Sequence, residues 1–149
     1  WPTWLLTYAV FCAGPVVTGA APHAGDTTAK RIAIKPASAA QLHADLVMLL
    51  VGTSFALAVA VTAAGAQRVV RTTTRLLLAA LAFQTAVGFA QCVDKLPLGL
   101  VELHLLGAAF IATASTAVVL AMTADRAPVG ARNVTSNVTS NVTSNVTSR

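Results

Sequence analysis

Residues 41–64 read QLHADLVMLLVGTSFALAVAVTAA, and this stretch decides the fold class. Asp45 carries its one formal charge at neutral pH. A bilayer core about 30 Å thick is crossed by a helix of about 20 mostly apolar residues. Because the stretch is that long and nearly free of charge, it predicts a transmembrane helix.

Three other stretches have the same character and lie at 3–21, 76–93 and 98–122, with Glu102 near the start of the last. Of the whole chain, 56% is hydrophobic and only 10% is charged, whereas soluble domains carry about 25% charged residues. These features predict an all-α fold, a polytopic membrane four-helix bundle within residues 1–125, surrounded by the lipid bilayer.

The basic residues indicate an orientation. Arg68, Arg71 and Arg75 lie in the predicted loop between the second and third helices, on the same side as the C-terminal tail. Cytoplasmic loops are enriched in lysine and arginine, so we expect a multi-pass membrane protein with a cytoplasmic tail. The formal charge of +5 fits membrane-flanking residues. Without a phosphate-binding loop, zinc spacing or basic-aromatic patch, we expect no nucleic-acid partner.

The tail has its own pattern, because residues 133–148 repeat NVTS four times. Such a polar, low-complexity segment has too little apolar surface to pack. We therefore predict that residues 126–149 are disordered. Each repeat contains an N-x-T sequon, which would matter only if the tail lay on the outer side of the membrane.

Two histidines lie inside predicted membrane helices, where ionisable side chains are costly and often functional. His43 is 21 residues, or about 31 Å, from the inner end at Ala64. His104 is 18 residues, or about 27 Å, from Met122. The two histidines therefore lie at nearly the same depth, on helices that run in the same direction.

A pair of histidines at one depth can ligate haem iron from opposite faces. Gln84, Gly88 and Gln91 share one face of the third helix and would form a wall of the site. Gly88, and Gly107 one turn after His104, would leave room for a flat ring. Other metal or proton-carrying roles, or a hydrogen bond that joins two helices, remain alternatives.

Four segments carry a resemblance to a known family: VVTGAAPHAGD (16–26), QLHADLV (41–47), QTAVGFAQ (84–91) and LPLGLVELHLLGA (96–108). Together they resemble the second half of bacterial haem A synthases, especially those of actinobacteria. The resemblance covers about residues 3–123. Thr85 stands where the family usually has glycine, and Phe89 where it has tyrosine.

The resemblance implies an eight-helix, two-repeat protein of a bacterial cell membrane, of which this chain is one half. The enzyme is an oxidoreductase that converts a methyl group of haem O to the formyl group of haem A. The second half holds haem b for electron transfer, and the matching ligands are His43 and His104. The first half carries the catalytic glutamate motif. Ala40 precedes His43 by three residues, so that motif is not found here.

The chain begins with Trp1, and we expect further residues upstream. The partner implied by the resemblance is the N-terminal half of the enzyme, or a separate subunit that replaces it. A stand-alone bis-histidine b-type cytochrome is the alternative function, and a membrane scaffold without haem is a third. His23 lies in the outer loop, where it would line a haem edge or be exposed to solvent.

Overall fold

A computed structural model describes residues 1–21, 28, 30–93 and 97–125 of the chain. It contains four helices: α1 (Pro2–Ala20), α2 (Pro36–Ala63), α3 (Arg68–Val93) and α4 (Leu98–Asp125). Each is long and apolar enough to cross a membrane. No strand occurs in the described ranges. The predicted all-α membrane four-helix bundle is confirmed.

The helices extend beyond the apolar stretches that predicted them. α2 begins at Pro36 and α3 begins at Arg68, whereas the sequence predicted starts near 41 and 76. Arg68, Arg71 and Arg75 therefore belong to the first turns of α3, and their prediction as loop residues was wrong. Hydropathy identifies the part of a helix that reaches hydrocarbon, whereas the helix itself continues into the interface. Proline suits the first helical turn, and arginine is a good helix former.

Gly65 ends α2 and allows the tight connection to α3. The Ala66 N–H donates to the Val61 carbonyl at 3.0 Å, and the Gly65 N–H donates to the Thr62 carbonyl at 3.1 Å. Gly65 has a φ of 62°, in the left-handed region that glycine adopts most easily. This pattern is a Schellman cap. It satisfies the last carbonyls of α2 and turns the chain into an antiparallel hairpin.

The helices pack in a ring, α1 on α2, α2 on α3, α3 on α4 and α4 on α1. The diagonal pairs of these described helices do not bring their backbones into contact. Packing is most extensive within the hairpins α1–α2 and α3–α4. The interior of the bundle thus lies between two hairpins, with α2 and α4 facing each other across it.

The core occupies the half of the bundle nearer the α2–α3 connection, away from the histidines. Its buried apolar residues are Leu50, Leu77, Leu81, Ile111 and Val118. In the same half, the Thr7 hydroxyl of α1 donates to Ser115 Oγ of α4 at 3.1 Å. Many large apolar side chains, including Phe55, Phe89 and Leu106, face outward. In a membrane protein this apolar exterior is the surface that meets lipid.

Some predicted features lie outside the described residues. They are His23 with the whole PHAGD stretch (22–26), and the tail at 126–149 with its NVTS repeats. Residues 94–96, between α3 and α4, also lie outside the described ranges. Lys30, Arg31 and Lys35, between α1 and α2, are described and exposed.

Candidate functional site

The two membrane histidines lie in the half of the bundle that contains the N-terminal ends of α2 and α4. His43 lies about two turns after the start of α2, and His104 lies nearly two turns after the start of α4. Both side chains are half-buried. Their helices are diagonal to each other across the bundle. The structure therefore places one half-buried imidazole on each of two helices that face the same interior.

The buried nitrogens of this pair are not satisfied by protein. Within the described part of the chain, Nδ1 of His43 and Nδ1 of His104 have no hydrogen-bond partner. His43 also interacts with the backbone of Val10 on α1, but that contact leaves its Nδ1 unpaired. Buried polar atoms in proteins are normally paired. An unpaired, buried nitrogen on each of these two imidazoles indicates a candidate ligand site.

A glycine lies beside each histidine ring, on the preceding helix of the same hairpin. A Cβ at Gly14 of α1 would lie 3.9 Å from Cε1 of His43. A Cβ at Gly88 of α3 would lie 3.3 Å from Cε1 of His104 and 3.7 Å from its Nδ1. The two hairpins thus repeat one arrangement, with a glycine on the first helix and a histidine on the second.

Gln84 joins α3 to α4 at the level of His104. Its side chain is 9% exposed, and its Nε2 donates to the backbone carbonyl of His104 at 2.6 Å. A Cβ at Gly107 would overlap the Gln84 carboxamide. The sequence predicted that Gly107 would make room for a ring. In the structure, Gly107 makes room for this amide.

The other polar residues in the same half of the bundle as the histidines are either buried or exposed. Gln91 is buried on α3, on the same face as Gln84 and Gly88, as the spacing predicted. Asp45 is exposed and accepts a hydrogen bond from Gln41 Nε2 at 2.7 Å. Glu102 is also exposed, so it points away from the histidine pair.

Two features of the site were not predicted from sequence. One is Gly14, and the other is the bond from Gln84 to the His104 backbone. Gly14 lies six residues before the end of α1 at Ala20, and Gly88 lies five residues before the end of α3 at Val93. Because these two distances are nearly equal, the sequence could have identified Gly14 as the counterpart of Gly88. The Gln84 bond has no signal in the sequence, because a carbonyl acceptor is present at every residue.

The residues that could hold a metal group are His43 and His104. Among the described residues, no group of three or more histidine, cysteine, aspartate or glutamate side chains could hold a metal ion. An ion bound by protein alone usually takes about four ligands. The arrangement suits a metal whose other ligands come from its own macrocycle.

Comparison with known proteins gives no relative for this arrangement. No family model, no curated protein and no solved structure matches the chain.

Proposed function

We propose that this chain is the haem-holding half of a haem A synthase and carries haem b between His43 and His104. The observation that carries the proposal is the position of the two half-buried imidazoles, at similar distances from the starts of two diagonal helices and each with a glycine beside it. A haem b bound here would be held by one histidine from each side of the bundle. Diagonal helices of a four-helix bundle can present ligands in that way.

The surroundings of the two rings fit haem better than a bare ion. With only two candidate ligands, the site lacks the coordination set that zinc takes in proteins. A porphyrin supplies the remaining ligands itself. Gly14 and Gly88 leave the rings free of neighbouring side-chain bulk. Nδ1 of each imidazole has no hydrogen-bond partner among the described residues, whereas His43 also bonds to the backbone of Val10.

The chemistry expected of this half is electron transfer. A haem iron with two histidine ligands has no open position for substrate, so it supplies one-electron exchange. The protein contributes the two ligands and a lipid-facing apolar shell that excludes water. Glu102 is the single glutamate of the sequence, and it is exposed. We therefore assign the oxidation of haem O to the N-terminal half or to a partner subunit.

An absorption spectrum of the purified protein tests haem binding. We expect a Soret band and a low-spin bis-histidine spectrum in the wild type. His43→Ala and His104→Ala should each lose the low-spin form, because each removes one axial ligand. Gln41→Ala is the control and should keep the wild-type spectrum, because Gln41 is exposed and bonds to Asp45. Absence of a Soret band, or a spectrum unchanged in both ligand variants, rules out the proposal.

A second experiment separates the enzyme from a stand-alone cytochrome. We expect the gene to encode four more membrane helices and a glutamate–histidine motif upstream of Trp1, or a second gene to supply them. Co-expression of both halves with a haem O source should then produce haem A, detected by its mass. Haem b binding without haem A in that experiment would favour the cytochrome.

A further inference from the structure

Gln84 makes a hydrogen bond between two helices. The threonine hydroxyls that bond to backbone carbonyls do so within their own helix, to a residue three or four positions earlier. The Gln84 amide instead crosses from α3 to α4 and ends on the carbonyl of the histidine itself. It therefore connects the two helices at the residue where α4 carries its imidazole.

The amide fits into a gap that α4 provides. Gly107 lies one turn after His104, and a Cβ there would overlap the carboxamide. Gln84 Oε1 is buried against this glycine and has no hydrogen-bond partner among the described residues. The buried, half-satisfied amide is costly in an apolar bundle. A contact retained at such a cost indicates a role beyond filling space.

Polar contacts at two heights set the rotation of α4. Thr7 of α1 bonds to Ser115 about three turns after His104, and Gln84 bonds at His104 itself. The helix is apolar on all sides, so hydrophobic patterning does not select the face that turns inward. In lipid, apolar side chains gain little by leaving one apolar surface for another, and polar bonds and close packing set helix contacts. The Gln84 bond and the approach of Gly88 to the ring hold His104 at two points, at its backbone and at its imidazole.

We propose that Gln84 is a positioning residue, which fixes the rotation and height of α4 so that His104 points toward its partner histidine. This inference rests on the proposed function, because the consequence of the positioning is axial ligation by His104. Gly107 has a part in the same positioning, because a larger side chain there would displace the Gln84 amide.

The test replaces Gln84 by leucine, which keeps the approximate volume and removes the hydrogen bond. We expect haem affinity to fall about tenfold, within the range seen when residues that orient metal ligands are changed. Electron paramagnetic resonance should also detect a high-spin fraction, because a misplaced His104 leaves the iron five-coordinate. Thr85→Val is the matched control, since the Thr85 hydroxyl bonds within α3 to Leu81. It should match the wild type in affinity and spin state.

A double-mutant cycle tests the part played by Gly107. Gly107→Ala should weaken haem binding when Gln84 is present, because the new methyl group displaces the amide. In a Gln84→Ala background the methyl group meets no amide, so the same substitution should have little further effect. Additive effects would overturn the role of Gly107, since residues in contact are expected to be non-additive.

The two proposals fail in different ways. A wild-type protein that binds no haem overturns both the proposed function and the positioning role. A wild type with a bis-histidine spectrum, together with Gln84→Leu equal to Thr85→Val in affinity and spin state, overturns the positioning role alone.

Discussion

Replacing Gly88 by alanine tests how closely α3 approaches the imidazole of His104. The new Cβ would lie 3.3 Å from Cε1 of that ring. Carbon atoms pack best at about 3.5–4.0 Å, so the ring must move by a few tenths of an ångström. The apoprotein can allow this movement, because Nδ1 of His104 has no hydrogen bond within the described residues to hold the ring. A ring bonded to iron cannot move as freely, so the cost should appear mainly in the haem-bound state.

The magnitude follows from two opposing effects. Alanine gains up to about 1 kcal/mol over glycine in an open helix position, and this gain is common to the free and haem-bound states. Overpacking of a filled site costs about 1–3 kcal/mol. If about 1–2 kcal/mol of that cost is confined to the haem-bound state, haem affinity falls roughly 5- to 30-fold.

The assay is a haem titration in detergent, followed by the Soret band. Gly14→Ala is the graded comparison, because its Cβ would meet His43 at an ordinary 3.9 Å and should weaken binding less. Gly52→Ala is the control, because a Cβ there meets nothing within 4 Å. Equal haem affinities for the Gly88, Gly14 and Gly52 variants would refute the close approach of Gly88 to a ligating ring.

Three further predictions concern the rest of the bundle. Ser54 is fully buried and its Oγ has no partner among the described residues, so Ser54→Ala should be neutral or stabilising by up to about 1 kcal/mol. Ser115→Ala removes the hydrogen bond to Thr7 and should cost about 0.5–1 kcal/mol. Unfolding in sodium dodecyl sulfate measures both, and the opposite order would contradict the hydrogen-bond assignment. Gly65→Ala should cost about 1–2 kcal/mol in the same assay, because alanine is strained at a φ of 62°, while Gly52→Ala should not destabilise. A reporter that is active only in the cytoplasm should be active when fused to the C-terminus, and activity only in an outer-loop fusion would reverse the orientation.

Much of the fold could be predicted because each membrane-spanning helix is specified by its own stretch of sequence. Four apolar stretches of sufficient length predict four crossings without knowledge of any contact. The helix ends were less accurate, as the early start of α3 at Arg68 shows. Charged residues leave the hydrocarbon region but do not end a helix, so hydropathy places the membrane and only the backbone hydrogen bonds place the helix ends.

The candidate site, too, was predicted in part from the sequence and decided in part by the tertiary structure. The sequence by itself determined the depths of His43 and His104, because a fixed rise per residue converts position along a helix into height in the membrane. It also placed Gln84, Gly88 and Gln91 on one face of α3. Only the tertiary structure decided which way α2 and α4 turn, because both helices are apolar on all sides and their patterning leaves rotation open. Contacts between helices, above all Gln84 on the His104 carbonyl, turn the half-buried imidazoles toward the bundle.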